Sequence, residues 1–255
     1  MTGQYLRRVI YPLAGMAIIV LAWHYYVVLM RVPQVVLPGP LPVVEAMRAQ
    51  WGILAEEAWV TLLECIYGFL LAMGIGIPIA VVMTYSRVAN LMFYPLLVAS
   101  QSIPKVAVAP ILLVWFGIGI QSKLAMAFVI AFFPVVVDTA TGLRATSPEL
   151  IELARSLQCS RMQTFFKIQL PSALPSIFSG AKIAVTLAVI GAVIGEFVGS
   201  NQGLGNLLLT ANSQLNGPLV WASLVVLSVL GMLLYGVVVL AEKILMPWAA
   251  DEGHK

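Results

Sequence analysis

Charged side chains are scarce in this 255-residue chain: 14 Lys and Arg with 11 Asp and Glu make 10% of the residues, against 61% hydrophobic residues. A soluble domain usually carries about 25% charged and about 45–50% apolar residues. The balance excludes a soluble globular protein, and no polar stretch is long enough to form a soluble head on a single anchor. A net charge of +3, spread along the chain, does not suggest nucleic-acid binding. We expect one polytopic membrane domain over residues 1–255.

Residues that carry chemistry are equally few. Cys65 and Cys159 lie in different surroundings and form no disulfide framework, and His24 and His254 are too far apart for a metal cluster. The sequence has no G-x-x-x-x-G-K-[ST] phosphate loop, so it lacks an ATPase site of that type. We therefore expect no catalytic residue, no metal and no cofactor bound by this chain.

Six apolar runs are long enough for a helix to cross a bilayer, which takes roughly 20 residues. The predicted spans are residues 9–30, 61–85, 91–119, 124–143, 176–200 and 219–240. The apolar residues are continuous rather than alternating, which excludes a β-barrel and predicts an all-α fold. The first run is too long for the apolar region of a signal peptide. The third contains Pro95, Pro104 and Pro110, which predict a kink or a part outside the bilayer.

Lys and Arg outside the spans predict the orientation, because cytoplasmic loops carry an excess of them. With the N-terminus in the cytoplasm, nine lie inside: Arg7, Arg8, Arg87, Arg144, Arg155, Arg161, Lys167, Lys243 and Lys255. Three lie outside: Arg31, Arg48 and Lys123. Both termini are therefore expected in the cytoplasm. In the external connections we predict a surface helix over residues 43–58 and a re-entrant or surface helix over residues 204–213.

Five charges remain within the predicted spans: Glu64, Lys105, Asp138, Lys182 and Glu196. A charge at the bilayer centre costs at least about 2.5–3.5 kcal/mol, so each needs a role. Lys105 either binds an anionic or polar group of a transported solute or pairs with Asp138 or Glu64. Asp138 is expected to pair with a basic group near the inner end of its span. Lys182 and Glu64 are expected to extend to the membrane surfaces.

Glu196 lies in a row of glycines with helical spacing, Gly191, Gly195 and Gly199. Such a row lets helices approach closely. It predicts either plain tight packing, or a contact with a second subunit or an external gate.

The largest internal connection, residues 144–175, contains two helix starts. In Ser147-Pro148-Glu149 the serine is a capping residue, the proline fits the first helical position and the glutamate faces the positive end of the helix dipole. A helix is therefore predicted over residues 148–157. Ser160-Arg161-Met162-Gln163 has capping-box spacing, which predicts a second helix ending at Gln169. Two capped helices between spans form a surface suited to docking a partner.

This connection resembles the signature of ABC-importer permeases, written E-A-A, three residues, G, nine residues, I-x-L-P. Glu152-Leu153-Ala154, Gln158 and Ile168-Gln169-Leu170-Pro171 match its spacing, with Leu153 and Gln158 replacing alanine and glycine. Residues 103–107, 131–134 and 195–200 are similar to the nitrate, sulfonate and taurine branch. Within that branch the chain looks most like permeases for pyrimidine-precursor or riboflavin-like compounds. The resemblance covers residues 61–242.

The resemblance implies a type I ABC-importer permease of a bacterial inner membrane. Such a subunit forms the translocation path for a small organic solute delivered by an external binding protein. Its partners are a second permease copy, membrane lipid and two ATPase subunits, which hold the ATP and Mg. The helix after Ser147 would be a coupling helix in a groove of the ATPase, with Ala154 permitting close approach and Glu152 and Arg155 pairing with polar groups.

The resemblance assigns ATPase coupling to Glu149, Glu152, Leu153, Ala154, Arg155, Leu157, Gln158, Ile168, Leu170 and Pro171. Lys105, Asp138 and Glu196 are the candidates for the translocation path or a gate. The alternative function is a proton- or ion-coupled secondary carrier that uses those three as a relay. Such carriers often have two repeated halves, which we do not find. A membrane-embedded enzyme lacks any plausible nucleophile. The substrate itself is not revealed.

Overall fold

The computed structural model describes the backbone of residues 2–247 and the side chains of residues 10–247. Arg7, Arg8 and Lys255, which support the predicted orientation, lie outside the described side chains. The described part is helical without strands: α1 (Thr2–Leu29), α2 (Pro40–Ala49), α3 (Trp51–Tyr85), α4 (Arg87–Gln101), α5 (Ala109–Phe116), α6 (Ile120–Arg144), α7 (Pro148–Ser156), α8 (Arg161–Thr164), α9 (Leu170–Gly199), α10 (Leu204–Ser213) and α11 (Gly217–Leu245). A 3₁₀ turn (Lys105–Val108) precedes α5, and a π turn (Phe165–Gln169) precedes α9.

Among the described residues, five helical segments are long and apolar enough to cross a membrane: Ile10–Leu29 of α1, the helices α3, α6 and α11, and the continuous segment Arg161–Gly199. A sixth candidate is the pair Arg87–Gln101 and Lys105–Phe116, whose axes are bent by 98°. Pro104 lies at the bend, where its ring and missing N–H prevent the helix from continuing. The all-α fold and the predicted break in the third span are confirmed.

The centre of the bundle is built from α3, α6 and α9, with α11 packed against α9 and α3. Ala127 of α6 lies between Gly68 of α3 and Gly191 of α9, and a Cβ at either glycine would come within 2.6 Å of it. Small residues at these crossings let the backbones approach closely. The first span is peripheral and contacts the bundle through Trp23, whose ring centroid lies 5.3 Å from that of Trp221.

The glycine row of α9 faces the interior of its own chain. A Cβ at Gly195 would lie 3.0 Å from the Cα of Lys123 in α6, and one at Gly199 would lie 2.6 Å from Leu113 of α5. The expected contact of this row with a second subunit is therefore wrong. Plain tight packing describes the row, and the external gate stays a prediction.

Two predicted helix boundaries are also wrong. The chain turns at Gln50, and residues 51–58 begin α3 instead of continuing the surface helix, because Leu54 is fully buried in the core. The second helix of the 144–175 connection does not end at Gln169. The wide π turn carries the chain into α9, and Pro171 fits within the first turn of that helix, where its missing N–H is tolerated.

Helices α7 and α10 mark opposite ends of the bundle. The connection between α6 and α9 contains α7, and the connection between α9 and α11 contains α10. We call these the α7 end and the α10 end. The prediction of α10 over residues 204–213 is confirmed to the residue.

Candidate functional site

Helix α7 and its C-cap residue display three leucines beyond the end of the spans. Leu150, Leu153 and Leu157 follow one another at spacings of three and four, so they share one face of the helix. Their side chains are 43%, 55% and 68% exposed. A cluster of exposed apolar side chains marks an interaction surface, whereas single ones are ordinary. We call these three residues the leucine face.

Charged side chains border the leucine face. Glu149, Glu152 and Arg155 are all exposed. The two glutamates lie three residues apart, adjacent to Leu153 on the helix surface. Ser147 does not cap the helix as predicted, because its hydroxyl donates to the Glu149 carboxylate at 3.0 Å instead of accepting from the backbone. An apolar stripe with a polar margin is the usual anatomy of a protein–protein contact.

Ala154, unlike the neighbouring leucines, is 1% exposed and packs against its own chain. From the sequence, this small side chain was predicted to permit close approach of a partner. The structure instead places it where α7 approaches its own bundle. Ala154 therefore positions the helix and is not part of the surface that α7 presents.

The turn after α7 has a residue in the left-handed region. Gln158 has φ 53°, and the N–H of Cys159 donates to the carbonyl of Ala154 at 3.0 Å. The Gln158 N–H donates to the carbonyl of Arg155 at 2.9 Å, which completes a Schellman end. Glycine usually occupies this position because it has no Cβ to clash. Gln158 therefore adopts the glycine geometry with some strain.

The return from α7 into α9 is held by local bonds. Ser160 N–H donates to Gln163 Oε1 at 2.8 Å and Gln163 N–H to Ser160 Oγ at 3.2 Å, which confirms the predicted capping box. The Tyr85 hydroxyl at the end of α3 donates to the Gln169 side chain, and its ring meets that of Phe165 edge-on at 6.0 Å. Ile168, Leu170 and Pro171 of the motif are half-buried in this segment.

At the α10 end, a buried ion pair joins two spans. Lys123 Nζ of α6 lies 2.5 Å from Glu64 Oε1 of α3, with side-chain exposures of 7% and 0%. The same ammonium donates to Ser200 Oγ at 2.9 Å. Glu64 does not extend to a membrane surface, and Lys123 is not in a loop, so both expectations are wrong. A buried pair of this kind is stable only while both partners are present.

Glu196 accepts hydrogen bonds that attach α10 to the bundle. Thr61 Oγ1 donates to Glu196 Oε1 at 2.6 Å, and the Gly205 N–H donates to Oε2 at 2.5 Å. Thr61 in turn accepts from the Leu204 N–H at 2.8 Å. These bonds satisfy N–H groups that have no partner within the helix. Glu196 is 1% exposed, and its carboxylate is occupied within the chain.

Glu57 completes this arrangement, since its carboxylate accepts from the N–H of Gly203. Gly203 has φ 103°, and a Cβ there would lie 2.1 Å from Glu196 Oε1. Only glycine fits both the backbone conformation and the space. We call the bonded side chains at this end the carboxylate network: Glu57, Thr61, Glu64, Lys123, Glu196 and Ser200.

The other charges within the spans have simpler surroundings. Lys182 Nζ lies 2.9 Å from Glu242 of α11, so it forms a structural pair. Lys105, at the break of the bent span, donates to Gln101 Oε1 at 3.1 Å. Neither Lys105 nor Asp138 has an oppositely charged partner within 4.0 Å among the described side chains. The alternatives that paired Lys105 with Asp138 or Glu64, and Asp138 with a basic group, are therefore wrong.

Residues 72–247 match the model of the family described as the inner membrane component of binding-protein-dependent transport systems. The chain belongs to this family. It is a multi-pass inner-membrane permease subunit of a binding-protein-dependent ABC importer, and the ion-coupled carrier is not supported.

Named relatives agree with the family. The permease is 37% identical over 228 residues to a probable ABC transporter permease protein of Haemophilus influenzae, covering 89% of this chain and 93% of the relative. It is 35% identical to the formylaminopyrimidine transport permease protein ThiX of Halalkalibacterium halodurans, covering 83% and 85%. It is 34% identical to the riboflavin transport system permease protein RibX of Chloroflexus aurantiacus, covering 96% and 94%.

Solved structures show the same fold. A chain of the MetNI methionine ABC transporter, in an inward facing conformation, aligns with a TM-score of 0.67 and 24% identity. The alignment covers 77% of this permease and 97% of that chain. The predicted type I importer architecture is thereby confirmed.

Most of the carboxylate network of this permease was not predicted from the sequence. Lys123 was expected in an outer loop, although it is within one turn of the apolar run that follows it. Glu64 lies near the same end of the neighbouring span with the opposite charge, and this pairing of signs was the available signal. Thr61 and Gly203 carried no comparable signal, because each acts through a partner far away in sequence.

Proposed function

We propose that the leucine face of α7 docks into a groove of an ATPase subunit and transmits nucleotide-driven movement to the spans. The observation that carries this proposal is the exposure of three leucines on one short helix outside the membrane segments. Leu150, Leu153 and Leu157 supply apolar area, and the exposed Glu149, Glu152 and Arg155 supply polar contacts at the margin. Gln158 shapes the end of this helix. Ile168, Leu170 and Pro171 connect it to α9.

In this proposal the α7 end faces the cytoplasm with both termini, and the α10 end faces the binding protein. Two permease copies, each one domain, enclose the path, and two ATPase subunits bind the ATP and Mg. The capping of α10 by the carboxylate network supports an outer segment of defined shape, suited to receiving a loaded binding protein. Glu196 therefore acts in positioning α10.

The solute is a small organic compound. The named functions of the relatives, formylaminopyrimidine and riboflavin transport, favour a small heteroaromatic compound. The sulfonate and taurine permeases among the relatives are 33% and 26% identical, which keeps small organic acids within the class.

The docking test uses Leu153→Asp in the full-length permease co-expressed with its ATPase. A charge in the centre of the leucine face should lower co-purification of the ATPase by about tenfold or more, because central apolar contacts dominate such interfaces. The matched control is Leu215→Asp, since Leu215 is 67% exposed at the α10 end. Both variants should insert and elute as the wild type does.

Unchanged co-purification with Leu153→Asp would contradict the docking assignment, as would an equal loss in the control. Uptake in proteoliposomes gives a second measure. Transport of the delivered solute should stop when ATP is absent from the side of the membrane that the α7 end faces. Uptake that follows a proton gradient without ATP would overturn the importer function as a whole.

A further inference from the structure

A groove of about 410 Å³ lies at the break of the bent span and differs from the rest of the apolar surface. Four phenylalanine rings and several aliphatic side chains form its walls, with Gln101 on the α4 side of the break and Lys105 on the α5 side. The lining includes Phe93, Phe128, Phe132, Phe133, Gln101 and Lys105. A volume of a few hundred Å³ with many apolar and few polar groups is typical of small-molecule sites.

The groove lies halfway along a span. Three of its phenylalanines belong to α6, which runs from Ile120 to Arg144, and they lie around the middle of that helix. The adjacent non-helical residues, Ser102 to Pro104, are exposed on the surface of the protomer. Non-helical backbone at membrane depth is tolerated only when protein covers it or when it lines a water-filled cavity. This face is therefore not a lipid-facing one.

Lys105 adds a charge that the protomer does not neutralise. Its Nζ donates to Gln101 Oε1 at 3.1 Å, and no carboxylate lies within 4.0 Å among the described side chains. An ammonium at this depth costs at least about 2.5–3.5 kcal/mol on insertion scales, which an anionic partner would offset. An acyl chain or an apolar side chain in the groove would leave that cost in place.

A second copy of the chain does not offer a free carboxylate at this depth. Glu64 and Glu196 are bonded within their own bundle. Asp138 has no ionic partner among the described side chains, but it is half-buried against α9 and lies more than one turn of α6 beyond Phe133, toward the α7 end and away from the groove. The partner that fits Lys105 is therefore a solute with its own negative charge.

We infer that this groove is a transient binding site, within the translocation path, for a flat aromatic solute that carries a carboxylate or a similar anionic group. Lys105 and Gln101 donate to the anion, and the phenylalanine rings pack against the flat ring. The inference rests on the proposed function and narrows its solute class to aromatic acids.

The test measures binding of quinoline-2-carboxylate by equilibrium dialysis to the full-length permease in phosphatidylcholine nanodiscs, with and without the ATPase. Binding should be saturable and should weaken about tenfold or more in Lys105→Met, since a hydrogen bond to a charged group is lost. Lys105→Arg should retain binding within a few-fold. The matched control is Lys243→Met, because Lys243 is exposed at the end of α11.

The aromatic wall is tested by Phe93→Leu, which should weaken binding several-fold. Phe93 is 47% exposed, and Phe197→Leu is the matched control at 41% exposure outside the groove. Quinoline-2-carboxamide, which is neutral, and cyclohexanecarboxylate, which has no flat ring, should both bind more weakly than the probe.

Equal binding to wild type and Lys105→Met would overturn the inference, as would equal affinity for cyclohexanecarboxylate. Loss of the probe on adding phosphatidylglycerol would assign the site to lipid, and loss on forming the permease pair would assign it to a second copy; either result also overturns it. If the ATPase co-purifies and uptake needs ATP while the probe does not bind, only this inference fails. If the ATPase does not bind, the proposed function fails whatever the probe does.

Discussion

The two ends of this permease differ in whether their characteristic side chains are exposed or buried with partners. At the α7 end, the leucine face presents apolar side chains that the described part of the chain does not cover. At the α10 end, the carboxylate network buries the charges of Glu64, Lys123 and Glu196 and gives them partners from α3, α6 and α9. Exposed apolar surface is completed by another molecule, whereas buried charges with bonded partners are complete within the fold. The first arrangement suits a changing contact and the second suits a fixed shape.

The largest expected effect comes from removing the ion pair at the α10 end. Lys123→Met would leave the Glu64 carboxylate buried without its ammonium partner, which lies 2.5 Å away. The free energy of unfolding should fall by about 3–5 kcal/mol, the usual result of removing one partner of a buried pair. Unfolding by sodium dodecyl sulfate in mixed micelles measures this change.

Two variants control that experiment. Glu64→Gln combined with Lys123→Met should recover most of the loss, because no charge is then left unpaired. Lys182→Met removes a pair that is about a quarter exposed and should cost less. If Lys123→Met is no more destabilising than Lys182→Met, the α10 end is not held by its ion pair.

A smaller effect is expected from Gly203→Ala. The new Cβ would lie 2.1 Å from Glu196 Oε1 on a backbone with φ 103°. We expect a loss of about 1–3 kcal/mol, the range for a residue held in a disfavoured conformation. Gly74→Ala in α3 is the matched control, because nothing lies within 4 Å of its added Cβ. A neutral Gly203→Ala would show that α10 is not fixed by Glu196.

The smallest expected effect concerns the turn that follows α7. Gln158→Gly should raise the free energy of unfolding by about 0.5–1 kcal/mol, because glycine adopts φ 53° without strain. Gln158→Ala keeps a Cβ at the same position and should give no such gain. Unfolding in mixed micelles compares the two, and an equal response would show that the turn is not strained.

Local sequence patterns predicted elements whose cause is local. The start of α7 follows from Pro148 at the first turn, and the capping box from the spacing of Ser160 and Gln163. The break in the third span follows from Pro104. Each of these is decided by bonds or clashes within a few residues, which the order of residues already contains.

Long-range partners were not predictable in the same way. The Thr61 hydroxyl bonds the Glu196 carboxylate 135 residues away, and although the glycine row marks Glu196, no local pattern marks Thr61 as its partner. Ala154 was expected on a docking surface because its motif is an interface motif, yet only the fold shows that it faces inward. The exposed leucines beside it were part of the same motif region, and their separation from Ala154 depends on the rotation of α7 about its axis.

The sequence by itself determined that this chain crosses a membrane several times. Scarce charge and long apolar runs decide whether a segment lies in lipid or in water, whatever its neighbours are. It also determined the family, through the spacing of the connection between α6 and α9. The tertiary structure alone decided which charges are paired, which leucines stay exposed and where Lys105 lies without a carboxylate. The physical reason is that hydropathy is a property of a segment, whereas a partner for a charge is a property of the packed bundle.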